Sequence, residues 1–222
     1  MTAIGDRTQF IRANTSVMTP PLVPEVKLHL AHEAVPLWEK TEEELGEMGL
    51  APPFWAFAWA GGQALARHIL DHPDLVSGKT VLDLASGSGL VGIAAKLAGA
   101  GDVLAADIDG FAVVAMGLNT ALNGIVLEIT PEDLLQTAPP HREVILVGDL
   151  FYEKDLASRV YDWLVLAEEQ GSTVLIGDPG RSYLPRARLE KIAEYKVAVT
   201  RDLEDAEIKW TSVWRLARPT AP

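Results

Sequence analysis

From residue 76 onward the chain alternates short apolar runs with longer stretches of helical period. Runs at 80–85, 102–107, 124–130, 144–149 and 173–178 are rich in Val, Leu and Ile and nearly continuous in their apolarity. Strands buried on both faces of a parallel sheet read this way. Between them, 89–98 is apolar nearly all round, as a buried helix is, while Phe111, Val114, Ala115, Leu118 and Leu122 recur as a helical stripe. Residues 153–169 form a further helical stretch, stopped by Gly171. After Pro185 the pattern predicts a short helix containing Arg and Leu, then two runs at 195–203 and 209–216 close enough to pair antiparallel. The sum is an α/β fold: a mostly parallel seven-stranded sheet with helices on both faces and an antiparallel C-terminal strand.

The first eighty residues have a different rhythm. Val26, Leu28 and Leu30 alternate with Lys27 and His29, which predicts a short half-buried strand. Thr41 before Glu42, Glu43 and Glu44 predicts a helix start, ended by Gly46 and Gly49. An aromatic loop follows, with Phe54, Trp55, Phe57 and Trp59 ahead of Gly61 and Gly62. Ala64, Leu65, His68 and Ile69 then mark one face of a helix ending near Pro73. The expected organisation is one structural domain, with residues 1–75 a leader and aromatic lid packed on a core of 76–222.

Composition narrows the function classes. The chain has 222 residues and a formal charge of −12, with 19 Lys and Arg against 31 Asp and Glu. That balance disfavours a surface that must neutralise many phosphates, so no nucleic-acid partner is expected. The sequence has no cysteine, which excludes disulfides, thiolate nucleophiles and Cys-ligated metals. His68 and His72 are four apart, but no Glu follows His68 and no third ligand is apparent, so no metal site is expected. No apolar stretch approaches a membrane span, and the N-terminus lacks the pattern of a signal peptide. The expectation is a cytoplasmic monomer without a membrane partner.

Asp83, Ser86, Gly87, Ser88, Gly89 and Gly92 follow the first strand of the sheet and open the buried helix. Glycines let backbone amides approach a ligand, and the helix start offers free N–H groups. The three glycines have dinucleotide spacing, and Asp107 stands 20 residues after Gly87, where an acid holds a ribose diol. An NAD-dependent oxidoreductase is one reading. Against it, Asp83 would repel a pyrophosphate but suits an ammonium group, the sheet starts late in the chain, and no Tyr-x-x-x-Lys hydride partner is found. No Lys-Ser or Lys-Thr follows the glycines, which removes a nucleotide-hydrolysing loop.

Asp83-x-x-Ser86-Gly87-x-Gly89, Asp107 ending the second strand, and the acidic loop Pro131, Glu132, Asp133 together resemble the S-adenosylmethionine site of class I, Rossmann-like methyltransferases. The resemblance implies that Gly87 and Gly89 meet the methionine portion and Asp83 favours its ammonium, directly or through water. It further implies that Asp107 takes both ribose hydroxyls and that the Asp133 loop reaches the adenine amino group. The fourth strand ends Val147, Gly148, Asp149, and Asp149-x-x-Tyr152 is similar to the seven-β-strand lysine methyltransferases called family sixteen. Enzymes acting on base or glutamine amide nitrogens carry Pro-Pro there, which this chain lacks. The segment Trp55 to Gln63 resembles that family's cofactor-covering segment, so Trp59 and Gly62 are expected at the cofactor. With Gly177, Asp178, Pro179, Gly180 and Arg181 after the fifth strand, and Thr211 to Trp214 near the end, the match resembles the branch methylating the electron transfer flavoprotein beta subunit.

The resemblance makes Asp149 and Tyr152 the acceptor-side residues. A lysine ammonium, with a reference pKa of about 10.4, must lose its proton before it attacks a sulfonium methyl. Asp149 is expected to recruit and orient the lysine, and Tyr152 to supply a hydroxyl and a ring wall suited to a cation. Another acceptor, such as a ribosomal protein, is the alternative within this chemistry. A methyltransferase-like fold that only docks to a partner is a third reading, distinguished by binding without methyl transfer.

Overall fold

A computed structural model describes residues 6–31, 52–198 and 208–217. The acid-capped helix expected from Thr41 to Gly49 lies outside them, as do residues 199–203 of the expected penultimate run. Helix α1 (Arg7–Asn14) starts at Asp6, whose carboxylate accepts the Gln9 amide at 3.1 Å. Strands β1 (Ser16–Met18) and β2 (Leu28–Leu30) pair antiparallel. Leu28 and Leu30 point inward with half-buried His29 between them, as the alternation predicts. Helix α1 buries only Ile11 completely, so it leaves no apolar stripe in the sequence.

Helix α2 (Ala60–Asp71) turns Ala64, Leu65, His68 and Ile69 inward along the expected stripe. Strand β3 (Thr80–Leu84) and helix α3 (Leu90–Leu97) follow, then β4 (Asp102–Ala106) and helix α4 (Gly110–Leu122). After them come β5 (Glu128–Thr130), β6 (Val144–Gly148), helix α5 (Lys154–Glu169) and β7 (Thr173–Asp178). Strands β8 (Leu189–Ala198) and β9 (Ile208–Leu216) end the described chain. The sheet order is β5-β4-β3-β6-β7-β9-β8. The first five strands in that order are parallel, and β9 joins β7 antiparallel before pairing antiparallel with β8. This is the mostly parallel seven-stranded sheet that the apolar runs predict.

Successive residues of the parallel strands feed two separate cores. Val81, Val103, Ala105, Val144 and Leu146 join the cluster under α2 and α3, whereas Leu82, Leu104, Ile145, Val147 and Ile176 join the one under α5. A strand covered on both sides has no polar face, which is why these segments read as continuous runs. Fully burying each such Leu, Ile or Val contributes about 1.5–3 kcal/mol. A third cluster packs Ile11 of α1 and the loop residues Trp55 and Phe57 against Ala112 and Ala115 of α4.

Two segments differ from the sequence expectation. The run 124–130 gives only the three residues of β5, because Gly124, at φ 65°, ends α4 and the Ile125 amide still bonds back to Thr120. Its first half is spent turning the chain. The stretch after Pro185 makes one 3-10 turn, Arg186–Arg188, and passes straight into β8 rather than a helix. Pairing with β9 overrides helix propensity here, and Arg215 grips the Glu190 carboxylate at 2.8 and 2.9 Å across the two strands.

The feature that sets the geometry of the functional end is a close backbone crossing. The first turn of α2 lies on the carboxyl ends of β6 and β7 so tightly that a Cβ on Gly61 would collide with the Gly177 carbonyl oxygen. A Cβ on Gly177 would in turn strike the Gly61 carbonyl and Leu65, and one on Gly148 would lie 3.1 Å from the Gly62 Cα. No helix among the described residues is long and apolar enough to cross a membrane.

Gly177→Ala is expected to destabilise the protein by about 1–3 kcal/mol, the cost of overpacking a close contact. Gly117→Ala, in the exposed interior of α4 with nothing within 4 Å of the added carbon, is expected to stabilise it by about 0.4–1 kcal/mol. Urea denaturation of both variants checks the pair.

Candidate functional site

The carboxyl ends of β3, β4 and β6 and the loops after them open onto one cavity of about 500 Å3. It lies where the strand order reverses, β4 following β3 on one side and β6 flanking it on the other. Ligands of open α/β sheets bind at such reversal points, and the volume suits a small-molecule cofactor. The aromatic loop forms one wall, with Phe54, Trp55, Phe57 and Trp59 all facing the cavity. Trp55 stacks on Phe111 of α4 with ring centres 6.0 Å apart, and the Trp59 indole N–H donates to the Phe54 carbonyl at 2.9 Å.

The glycine loop is tied down by carboxylates. Asp83 is buried at the end of β3, and its Oδ2 accepts the Gly92 amide at 2.8 Å and a short bond from the Ser86 hydroxyl. Burial pushes this carboxyl up to about 7; the bonds from Ser86 and Gly92 oppose the rise and Asp107 adds to it. Asp107 follows β4 and accepts the Gly87 amide at 2.8 Å through Oδ2 and the Asp109 amide at 2.9 Å through Oδ1. Burial raises its pKa too, against the two backbone bonds. Each carboxylate oxygen of Asp107 keeps lone-pair capacity for a further donor, and the residue faces the cavity. Gly87 stands at φ 55° and Gly89 at φ 84°, conformations that admit glycine readily.

Asp149 occupies the end of β6 at φ 53°, an unusual backbone position for an aspartate. Its amide donates to the Gly177 carbonyl at 2.9 Å, and its Oδ2 accepts the Gly62 amide at 2.9 Å from the first turn of α2. Its Oδ1 pairs with an Arg181 guanidinium nitrogen at 3.0 Å. Burial pushes the Asp149 carboxyl up to about 7, Arg181 pulls it down, and Asp178 adds to the rise. Tyr152 is 48% exposed beside the cavity, with its ring 5.6 Å from that of Phe54. Burial raises its phenol pKa.

Trp59, Gly62, Asp83, Ser86, Gly87, Asp107, Asp133, Asp149 and Tyr152 all face this one cavity. Gly89 stands behind the wall as the residue preceding α3, where an added Cβ would press on Met116 at 3.2 Å. Asp133 faces the cavity, but its Oδ1 caps the 3-10 turn through the Leu135 amide at 3.1 Å, and its Oδ2 takes the Gln136 side chain at 2.9 Å. His68 and His72 have their rings 4.6 Å apart, and His68 Nδ1 lies 3.0 Å from the Tyr195 hydroxyl, away from this site.

Two residues that shape the site carry no assigned role in the sequence. Arg181, the last residue of the run after β7 that carries the family resemblance, faces the cavity from the turn, and nothing in the sequence points to its bond with Asp149. Asn119 is fully buried in α4, accepting the His29 amide at 2.7 Å and donating to the Ser88 carbonyl at 2.7 Å. It ties the leader strand to the glycine loop, and only its polarity inside an apolar stripe marks it.

A reversal-point cavity with a glycine loop, a buried acid on the loop and a second acid after the next strand is the arrangement expected of a Rossmann-like class I methyltransferase. Solved structures share the fold. The ribosomal protein L11 methylase from Lactobacillus delbrueckii subsp. bulgaricus superposes with a TM-score of 0.51 at 21% identity, over 72% of this chain and 79% of that one. Magnesium protoporphyrin IX methyltransferase from Synechocystis PCC 6803, with bound S-adenosylmethionine, gives 0.52 at 13% identity over 70% and 78%. The profile of the family described as ribosomal protein L11 methyltransferase (PrmA) matches residues 64–148. The electron transfer flavoprotein beta subunit lysine methyltransferase of Rattus norvegicus is 37% identical over 212 residues, 92% of this chain and 82% of that protein. The chain belongs to the electron transfer flavoprotein beta subunit lysine methyltransferase family.

The raised pKa of Asp83 makes stability depend on pH. A carboxyl whose folded pKa lies above its unfolded value favours folding when protonated, and that stability is lost as pH rises through about 7. Asp149 acts in the same direction. His29 and His68, lowered by burial, act in the opposite direction below about 6.5. Between pH 6.5 and 8 the ligand-free protein is expected to lose stability more steeply than Asp83→Asn. Urea denaturation of both across that window checks the difference, and equal slopes would place the Asp83 titration elsewhere.

Proposed function

We propose that this chain transfers a methyl group from S-adenosylmethionine to lysine side chains of the electron transfer flavoprotein beta subunit. The observation that carries the reading is the buried carboxylate of Asp149 on the same cavity wall as the glycine loop and Asp107, in a chain of this family. The cavity fits the cofactor: it offers a glycine cradle at positive φ, an acid with free lone pairs on Asp107 and an aromatic wall. When bound, S-adenosylmethionine supplies an electrophilic methyl group on a sulfonium.

On this reading the Gly87 segment and Asp83 bind the methionine end, Asp107 takes the ribose hydroxyls, and Asp133 lies near the adenine. Trp59 and Gly62 close the site from the α2 side. Asp149 attracts the lysine ammonium into the cavity and aligns the amine, while half-exposed Tyr152 lines its entry. A carboxylate beside an ammonium stabilises the charged form, so Asp149 orients the lysine and the proton leaves to water. The chain's contribution to rate is proximity and alignment. The L11 profile matches only residues 64–148, the part that builds the cofactor half, and so favours no ribosomal acceptor. A cytoplasmic, monomeric protein belongs to the same proposal; the lack of cysteine is compatible with a reducing compartment, and a net charge of −12 favours a soluble monomer.

Recombinant electron transfer flavoprotein, incubated with the protein and S-adenosylmethionine, is expected to gain whole methyl increments on the beta subunit by intact-mass spectrometry. Asp149→Asn is expected to lower kcat/KM about 10- to 100-fold, the loss of a charge-assisted contact of about 1.5–3 kcal/mol, with S-adenosylhomocysteine affinity unchanged. An unmethylated flavoprotein with intact S-adenosylhomocysteine binding would overturn the acceptor. Asp107→Asn is expected to do the converse, weakening S-adenosylhomocysteine by a similar factor in calorimetry.

A further inference from the structure

The turn after β7 takes no part in the chemistry above, yet it brings a cation to the acceptor carboxylate. Asp178 is fully buried, and its Oδ1 accepts the Gly180 and Arg181 amides at 2.6 and 2.7 Å. Those bonds fix the turn and the direction in which Arg181 leaves it. The Arg181 guanidinium then reaches Asp149 Oδ1 at 3.0 Å and lies 5.5 Å from the centre of the Trp59 ring. Asp149 Oδ2 is held by the Gly62 amide. Both oxygens are anchored, and each keeps a lone pair for one further donor.

We propose that Arg181 is a positioning residue for the lysine-binding carboxylate: its permanent charge favours the ionised form of Asp149 in a buried place, and its bond fixes the carboxylate orientation that the lysine meets. This rests on the lysine methyltransferase reading of the site. A carboxylate with only 9% of its side chain exposed loses most of its solvation, and in neutral form it has no charge with which to recruit an ammonium. The charged groups bearing on Asp149 among the described residues are Arg181, which favours the ionised form, and Asp178, which disfavours it. Asp178 in turn faces Arg181 and Arg186. The first turn of α2 brings only backbone N–H groups and no acid. The segment after β6 brings the Tyr152 hydroxyl and Glu153, whose oxygens cap α5. Among the described residues, removing Arg181 takes away the cation that opposes Asp178 at Asp149. A guanidinium stays charged at every working pH and can lie along an indole face while donating, a combination suited to this position.

The test reads Asp149 directly. With aspartate carboxyl carbons labelled with 13C and S-adenosylhomocysteine bound, the Asp149 signal, assigned by its loss in Asp149→Asn, is titrated by NMR. Arg181→Gln is expected to raise its midpoint by about one unit or more, a tenfold smaller ionised-to-neutral ratio near neutral pH. Arg181→Met, which keeps the apolar stem, provides a second neutral variant if Arg181→Gln folds poorly, and Arg181→Lys is expected to restore most of the shift. In parallel, the acid limb of kcat/KM for recombinant electron transfer flavoprotein should move to higher pH by the same amount, with activity recovering at alkaline pH. An unchanged midpoint, or an activity loss equal at every pH, overturns the proposal. Failure of the wild type to methylate the flavoprotein counts against the acceptor alone, since the carboxyl titration still decides what Arg181 does to Asp149.

Discussion

The crossing of α2 over the ends of β6 and β7 is the constraint on which the functional end of the molecule depends. At Gly61 and Gly177 two backbones meet with no room for a Cβ, and at Gly148 and Gly62 the approach is nearly as tight. The contact brings the Gly62 amide within hydrogen-bond reach of Asp149. It also carries the aromatic loop, which immediately precedes α2, onto the cavity. One steric condition thereby joins Asp149 and the aromatic loop to the sheet.

The acids at the strand ends share a common physical logic. Asp83, Asp107 and Asp149 are each largely removed from water, which alone would neutralise them, and each is held by backbone amides. Those bonds trade conformational freedom of the loops for charge stabilisation on the acids. Asp83 pins the helix start at Gly92, Asp107 pins Gly87, and Asp149 pins Gly62. The groups that line the cavity are therefore also the groups that shape it. Asn119 extends the same network outward, linking Ser88 of the loop to His29 of the leader ribbon.

The parallel strands were legible because burial on both faces writes itself as an unbroken apolar run, and β3, β4, β6 and β7 fall within a residue of their predicted ends. The glycine loop and its acids were legible because their spacing carries chemistry. Helix α1, with a single fully buried side chain, has no periodic signal to read. The stretch after Pro185 reads as helix by composition, yet from Leu189 it pairs as an edge strand, since its partner lies some twenty residues away. Arg181 was legible as part of the run after β7, but its pairing with Asp149 was not, because that bond joins residues 32 positions apart.

The sequence by itself determined the α/β layering, the strand set and the candidate acids, because these follow from local periodicity and short spacing. Only the tertiary structure decided which acid faces which cation, and that Asp133 spends its carboxylate capping a turn. It also decided that Gly89 serves packing against Met116 and that Asp149 is clamped between Gly62 and Arg181. Hydrogen bonds and desolvation act over a few ångströms in space between residues far apart in the chain, and no local pattern encodes that distance.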